Sequence, residues 1–379
     1  MKLFLIAGEP SGDRLGAALM AGLKSLRPEV EFAGIGGPLM QGEGLTSLFP
    51  MDELSVMGIA EVLPKYRALK RRIAEAAAAT LAAAPAALIT IDSPDFCLRV
   101  ARIVKQAQPR LRTIHYVAPS VWAWRPGRAA KMALVIDHVM ALLPFEPPYM
   151  TAAGMSCDFV GHPVVSEPVA NPEQGANFRT THGIAADVPL VLMLPGSRKG
   201  EINRLAPHFG TVAAQVIAQV PSARILIQTL QSQSALVRTL TKDWPGAPVY
   251  LHSPDPDLRA AAFTAADVAL AASGTVSLEL AAQGCPMVIA YDLNRLTFWL
   301  MRKMALIDSV TLVNLVTQTR TVPEFLGDRC RADLITPAVM HLLHNDHEQI
   351  LAMRQTMQLL GQGDEAPGLR AARSVLAVL

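Results

Sequence analysis

Cysteine is scarce in this 379-residue chain: Cys97, Cys157, Cys285 and Cys330 lie far apart and form no C-x-x-C pair. That spacing offers neither a disulfide framework nor a zinc site, and the four read as small core residues in a reducing compartment. Aromatic residues make up only 5% and charged residues only 17%, against 51% hydrophobic, so the polar, highly charged composition of intrinsic disorder is absent. An excess of one charge sign is missing too. The 34 basic and 32 acidic residues leave a net charge of +2, which supplies no global field for nucleic acid, and none is expected as a partner. Every long apolar run is broken by charge or proline before the ~18 residues of a membrane span. The opening run Met1–Ala7 is too short for a signal peptide, so the sequence predicts a cytoplasmic chain.

Short apolar runs recur instead, each followed by an amphipathic stretch. They are Lys2–Ala7, Glu31–Ile35, Ala87–Ile91, Thr113–Val117 and His138–Leu143, then Pro189–Leu194, Ala223–Thr229, Pro248–Leu251, Val268–Ala272 and Met287–Tyr291. Runs that are apolar throughout suit strands covered on both faces, and the helical stretches between them suit right-handed crossovers. The pattern predicts two doubly wound α/β domains, residues 1–165 and 188–322. Turn formers crowd 166–187, notably Asn171-Pro172-Glu173-Gln174-Gly175, which reads as a hinge. From 323 to 379 the periodicity is helical without strand signal, and a C-terminal helical segment is expected.

Ligands of such folds bind beyond the carboxyl ends of the strands, so the residues after each run are the candidates. Gly8-Glu9-Pro10-Ser11-Gly12-Asp13 follows the first, with glycines that permit close backbone approach and a serine at a helix start. It matches neither the G-x-x-x-x-G-K-[ST] nor the G-x-G-x-x-G pattern, and an ordinary βα turn is its plainer reading. Asp92 and Asp95 follow Ala87–Ile91. Asp95 suits a helix start, whereas Asp92 has no comparable structural role and is the candidate general base. Trp122 and Trp124 stand together after the fourth run, either as a ligand wall or as the edge of a core wedge. His162 falls at the expected domain junction, and its role stays open between structure and chemistry.

The second series carries a sharper signal. Pro195-Gly196-Ser197-Arg198 ends a strand and opens a helix, so Arg198 can offer its fork of donors to a diphosphate beside free helix N–H groups. Ser273-Gly274-Thr275 repeats that arrangement, with Ser273 and Thr275 as helix caps and Glu279 about one turn on, placed to accept ribose hydroxyls. For Glu279 alone, an exposed helix-start charge is the commoner role. Asp255-Pro256-Asp257 reads as turn chemistry rather than a metal–diphosphate motif. His341, His344 and His347 do not share a helix face well enough for a metal site.

Taken together, Ala7–Asp13, Ile91–Phe96, His115–Arg125, Leu143-Pro144-Phe145-Glu146, Leu194–Arg198, Ala272–Thr275, Thr297–Leu300 and Val313-Asn314-Leu315 resemble the lipid-A-disaccharide synthase family. The resemblance implies two Rossmann-like domains of the B-type glycosyltransferase fold and an inverting transfer that needs no obligatory metal or other cofactor. Its substrates would be UDP-2,3-diacylglucosamine and 2,3-diacylglucosamine 1-phosphate (lipid X), joined through a β-1,6 bond with release of UDP. It further implies a homodimer, with C-terminal segments exchanged between protomers, peripheral to the inner membrane. Asp92 and Arg198 fall on the family's essential aspartate and arginine, and Asn314 on a position near the donor. Leu39 departs from the arginine expected there, so no ligand role is carried to its loop. Another UDP-sugar enzyme of the same fold, such as a UDP-N-acetylglucosamine 2-epimerase, is the alternative.

Acylated substrates turn attention to Val62–Ile73, a helix opening with Pro64 in its first turn. Val62, Tyr66, Leu69 and Ile73 share a narrow face, with Leu63 beside it and Lys65, Arg67, Lys70, Arg71 and Arg72 on the flanks and back. Such a helix can lie among headgroups, with Val62, Leu63, Tyr66, Leu69, Lys70, Arg71 and Ile73 in contact. Packing on the first domain is the competing reading.

Overall fold

The computed structural model describes residues 1–54, 59–292, 298 and 303–379, and for 59–66 the backbone alone. The side chains of Val62, Leu63 and Tyr66 thus lie outside the described residues, as do Thr297, Trp299 and Leu300. The chain forms two compact units, one of residues 1–163 with 363–379 and the other of residues 164–362.

In the first unit, β1 (Lys2–Ala7), β2 (Glu31–Ile35), β3 (Ala87–Ile91), β4 (Arg112–Tyr116), β5 (His138–Ala141) and β6 (Ser156–Phe159) form a parallel sheet in the order β2-β1-β3-β4-β5-β6. Helices α1 (Pro10–Leu26), α2 (Pro38–Gly42), α3 (Ile59–Ala83), α4 (Pro94–Ala107), α5 (Gly127–Ala133) and α6 (Pro147–Thr151) connect them. Side chains alternate across a strand. Leu3, Leu5 and Ala7 therefore pack on Leu15, Leu19 and Leu23 of α1, while Phe4 and Ile6 join the opposite core with Ile73 and Ala76 of α3 and Val100 of α4. Each fully buried aliphatic side chain contributes about 1.5–3 kcal/mol. Burial on both faces is why these strands read as unbroken apolar runs.

The second unit repeats the plan with β7 (Leu190–Leu194), β8 (Arg224–Gln228), β9 (Val249–Leu251), β10 (Val268–Ala272), β11 (Met287–Tyr291) and β12 (Glu324–Leu326), ordered β12-β11-β10-β7-β8-β9. Its helices include α7 (Pro172–Thr181), α8 (Lys199–Gln219), α9 (Ser234–Thr241), α10 (Pro256–Ala265) and α11 (Val276–Ala282). The strand order reverses between β1 and β3 in one sheet and between β7 and β10 in the other. There the two connecting helices diverge to opposite faces and leave the carboxyl ends uncovered.

Two sequence expectations need correction. The stretch 166–187 is not a bare hinge, because it contains α7. Asn171 caps that helix in a reciprocal box with Gln174, and Pro172 occupies its first turn, so these turn formers mark a helix N-terminus. Arg179 of α7 is buried and donates to the carbonyls of Ala265, Ala185 and Val188 and to Asp267 Oδ2, which ties α7 into the second unit. The segment after 323 begins with a strand, β12, and its helices Ala332–Leu342 and His347–Leu359 remain in the second unit.

Only the last helix, Pro367–Ala377, belongs to the first unit. It lies on α1 through glycines: a Cβ on Gly22 would meet the Gly368 carbonyl oxygen at 2.6 Å, and a Cβ on Gly368 would meet that of Ala18 at 2.6 Å. Ala371, Ala372 and Val375 then enter the α1 core. Ser374 donates to Asp158 Oδ2 at 2.7 Å, and its Oγ lies 2.8 Å from His138 Nε2. Gly368→Val is expected to cost about 1–3 kcal/mol, the scale of overpacking, with a lowered thermal midpoint. An unchanged midpoint would show that the last helix is not docked in this way.

Candidate active site

At the β1/β3 switch point the chain is bent against its preference. Asp92 and Ser93 have φ of 53° and 42°, and Val117, at the end of β4, has φ of 85°. Left-handed backbone costs about 1–3 kcal/mol at a non-glycine residue and collects at functional sites. Asp92 N donates to Tyr116 O at 3.0 Å, Ser93 N to Asp92 Oδ1 at 2.9 Å, and Ser93 O receives the first N–H groups of α4. Asp92 Oδ2 is 3.5 Å from Ser11 Oγ. Gly8 brings the chain close to Ser93: a Cβ there would stand 2.6 Å from Ser93 Oγ and 3.0 Å from its Cβ, so the Ser93 side chain would have to move. That hydroxyl is buried and has no hydrogen-bond partner among the described residues. Gly8, Ser11, Asp92 and Ser93 thus converge, and Glu9 stands beside them as the residue preceding α1, without a side-chain cap bond.

Two acids that sequence reasoning left without a role hold the surrounding loops. Asp13, 3% exposed, accepts from Gly37 N at 2.8 Å, Met40 N at 3.0 Å and Leu39 N at 3.0 Å, and so anchors α2. Glu146, 4% exposed, accepts from Trp122 Nε1 at 3.1 Å, Leu143 N at 3.0 Å and Leu142 N at 3.2 Å. A signal existed for Glu146: it is the single charged residue between His138 and Asp158. Trp122, further braced edge-on by Phe145, is therefore the edge of a core wedge. Trp124 lies under the guanidinium groups of Arg125 and Arg128. His162 is buried, and burial pushes its imidazole down to about 4, which leaves it neutral near pH 7.

The β7/β10 switch point of the second unit holds a cavity of about 460 Å³. Ser197, Arg198, Ser273, Gly274, Thr275 and Glu279 all line it, so six of the seven residues expected at the donor site come together. Glu201, not singled out in the sequence, organises the loop. Its Oε2 accepts from Ser197 N and Arg198 N at 3.3 Å each, and its Oε1 from Tyr291 OH at 3.2 Å. Its signal was an acid at the third position of α8, where a side chain reaches back to the helix start. Arg198 remains mostly exposed, 3.5 Å from Glu201 Oε1. Arg259 lines the same cavity in an ion pair with Glu279, and its Nε and Thr229 Oγ1 are buried without a partner among the described residues. Buried donors left unpaired cost about 1–3 kcal/mol each, a cost that a bound anion or sugar would relieve.

Some expected roles change. Thr275 sits at the α11 N-cap with helical dihedrals and makes no side-chain cap bond, so it lines the cavity rather than capping. Asn314 is fully buried away from the cavity lining: its amide donates to Val322 O and Glu324 Oε1 and accepts from Val322 N. A buried amide with those partners is structural, and Asn314 is withdrawn as a ligand contact. In α3, Ile73 is 6% exposed in the core and Leu69 packs against it, because the helix turns this stripe toward the sheet. Both are withdrawn from membrane contact, while Lys70 and Arg71 are exposed. Asp255 accepts from Asp257 N and Leu258 N at the start of α10, as turn chemistry requires.

The family model for lipid-A-disaccharide synthetase matches residues 3–373. The chain belongs to the lipid-A-disaccharide synthase family. It is 57% identical to the enzyme of that name from Ruegeria pomeroyi, over 99% of this chain and 95% of the relative, and 45% identical to that from Rhodospirillum centenum, over 100% and 94%. Among solved structures it resembles an S. aureus MnaA–UDP co-structure (TM-score 0.65, 11% identity, covering 100% and 95% of the two chains). It also resembles a UDP-GlcNAc 2-epimerase from Neisseria meningitidis bound to UDP-GlcNAc (TM-score 0.62, 9% identity, 100% and 99%). At such identities the likeness shows the two-unit α/β fold alone. The chain is therefore a glycosyltransferase of this family, and the epimerase alternative is not favoured.

Burial pushes the Glu146 carboxyl up to about 7, against the pull of its hydrogen bonds from Trp122, Leu143 and Leu142. The folded state then binds more protons than the unfolded one between about 4.5 and about 7, so this group's stabilisation is present below that window and lost as pH rises through it. Glu146→Gln is expected to flatten the dependence of the urea midpoint on pH there. Trp122 emission should titrate near 7 in the parent and not in the variant. Emission that is equally flat in both would remove the coupling.

Proposed function

We propose that the chain joins UDP-2,3-diacylglucosamine to lipid X by direct displacement. The acceptor's 6-hydroxyl oxygen bonds to the donor's anomeric carbon as the carbon–oxygen bond to the diphosphate breaks. The hydroxyl proton passes to Asp92, and UDP leaves with the bonding electrons. Displacement of this kind needs a base for the nucleophile and cations or dipoles for the departing charge. The observation that carries the reading is the β7/β10 cavity, where Arg198, Arg259 and the Ser273–Thr275 turn surround a space suited to a nucleoside diphosphate. Its Glu279 is already held by Arg259, in a position to meet a ribose. Asp92 and the unpaired Ser93 hydroxyl supply the acceptor side in the first unit.

Access to acylated substrates fits peripheral contact with the inner membrane from the cytoplasmic side, through the exposed Arg67, Lys70 and Arg71 of α3 and anionic headgroups. Among the described residues no helix is long and apolar enough to cross a membrane. A homodimer with exchanged C-terminal segments also fits, since only the connector around Gly361 and Gly363, both at positive φ, would need to open for the last helix to reach a partner's α1.

Incubation with the two acylated substrates should release UDP and form the β-1,6 disaccharide, whereas release from UDP-GlcNAc alone would count against the assignment. Asp92→Asn should lower turnover about 10²-fold or more while UDP binding persists; near-parental turnover would remove Asp92 as the base. Arg198→Ala should weaken UDP binding by calorimetry, and Arg198→Lys should fall well short of the parent because the bidentate fork is lost. Unchanged UDP affinity in the alanine variant would take Arg198 out of the diphosphate site.

A further inference from the structure

A second polar hollow, of about 200 Å³, lies between α4 and α5 in the first unit. Arg99 and Arg102 on α4 and Arg128 and Lys131 on α5 line it, over a floor that includes Leu98 and Met132. Residues three apart share a helix face, so each helix contributes two cations to one groove. None of the four has an ion-pair partner among the described residues. The one carboxylate on the groove is Asp95, in the first turn of α4. Four cations facing a single carboxylate raise the local positive potential, which favours an anion in the groove. Guanidinium forks match a phosphate's oxygens bidentately.

Two further observations identify what carries that phosphate. The groove opens at Pro94, Asp95 and Pro119, directly after Asp92-Ser93 and after the exit of β4, so it begins at the carboxyl edge where the acceptor is read to bind. Exposed aliphatic residues also stand one turn on from its cations: Ile103, four residues after Arg99, is 39% exposed, and Leu134, three residues after Lys131, is 77% exposed. Cations rimmed by exposed aliphatic groups suit a charged headgroup with acyl chains more than a free nucleotide. The same helical layer continues into α3, which packs beside α4 and exposes Arg67, Lys70 and Arg71.

We propose that the α4/α5 groove is a binding site for the phosphate of an acylated lipid, with Arg99, Arg102, Arg128 and Lys131 as its ligands. It rests on the reading of the acceptor as a phosphate-bearing lipid and goes beyond it by naming the residues that select that phosphate. Two sources share the chemistry, the 1-phosphate of the acceptor and the headgroup of a bilayer phospholipid, and the test separates them.

The variant pair is Arg99→Glu with Lys131→Glu, one charge reversed on each wall, and its control is Arg99→Lys with Lys131→Arg. Both positions are exposed, and an unchanged cooperative thermal transition of the full chain, followed by circular dichroism, reports that the first unit stays folded. Should the reversal fail that check, Arg99→Gln with Lys131→Gln replaces it. In neutral detergent micelles the reversal should raise KM for lipid X about tenfold, with kcat and donor KM within about twofold, and leave the weaker reaction of dephosphorylated 2,3-diacylglucosamine unchanged. Sedimentation with phosphatidylcholine vesicles containing phosphatidic acid forms the second arm, and about tenfold weaker binding is expected there if the bilayer supplies the phosphate. A raised KM assigns the acceptor's phosphate, and weakened vesicle binding with an unchanged KM assigns the headgroup. Parental behaviour of the reversal in both arms overturns the proposal. The vesicle arm reads the groove even if no disaccharide forms, so failure of the proposed reaction and failure of this site are told apart.

Discussion

The parallel pairing of β1 with β3 and of β7 with β10 is the constraint from which the functional chemistry follows. A right-handed crossover carries each connecting helix to one face of the sheet. Only where the order of strands reverses do adjacent crossovers part and leave two carboxyl ends side by side without a helix over them. In the first unit those ends deliver Gly8 and Asp92, and in the second they deliver Pro195–Arg198 and Ser273–Thr275. The apolar strands are interchangeable in kind; the residues that follow these four are not. A Cβ at Gly8 collides with Ser93, and Gly196 turns at φ of 113° beneath Glu201.

Loops at uncovered strand ends cannot be held by apolar burial, and here carboxylates hold them. Asp13 collects three backbone N–H groups of the α2 loop, Glu146 two N–H groups after β5 together with the Trp122 indole, and Glu201 two N–H groups after β7 together with a tyrosine hydroxyl. A hydrogen bond to an ionised group contributes about 1.5–3 kcal/mol, against roughly 1–3 kcal/mol for each left-handed residue. The bends at Asp92 and Val117 are held by backbone bonds to the neighbouring strands, Asp92 N donating to Tyr116 O and Val117 N to Met140 O at 3.0 Å each. For Glu146 the same burial that orders the loop also raises the cost of its charge, which is why its carboxyl is pushed up to about 7.

What the sequence discloses follows from burial. Strands covered on both faces, such as Lys2–Ala7, Ala87–Ile91, Val268–Ala272 and Met287–Tyr291, stand in the structure with the limits their apolar runs predict. β6 and β12 escaped notice because they are short edge strands in which Phe325 alone is buried, so no continuous apolar run marks them. The donor residues were legible because a strand end, a glycine and a helix start leave a local pattern. Asp13, Glu146 and Glu201 were not, since their meaning lies in which distant or back-bonded N–H groups they accept from. Asn314 shows the opposite error: a polar residue in a family motif has its amide engaged inside the core, positioning Val322 and Glu324 rather than touching a ligand.

Charge illustrates the gap between composition and local field. A net charge of +2 over the whole chain excludes a global electrostatic footprint, yet it is compatible with strong local ones, because potentials near a surface decay within about 8–10 Å at ordinary ionic strength. Helical spacing creates the local field here. Arg99 and Arg102 share a face, as do Arg128 and Lys131, and packing α4 and α5 in one layer brings the two pairs to a common groove. Acids elsewhere that balance the sum are engaged otherwise: Asp137 with Lys105, Glu53 and Glu75 with Arg72, Asp267 with Arg179. Charge neutrality is thus a property of the chain as a whole, while the uncompensated cations stand on one helical layer, next to the strand end that carries Asp92.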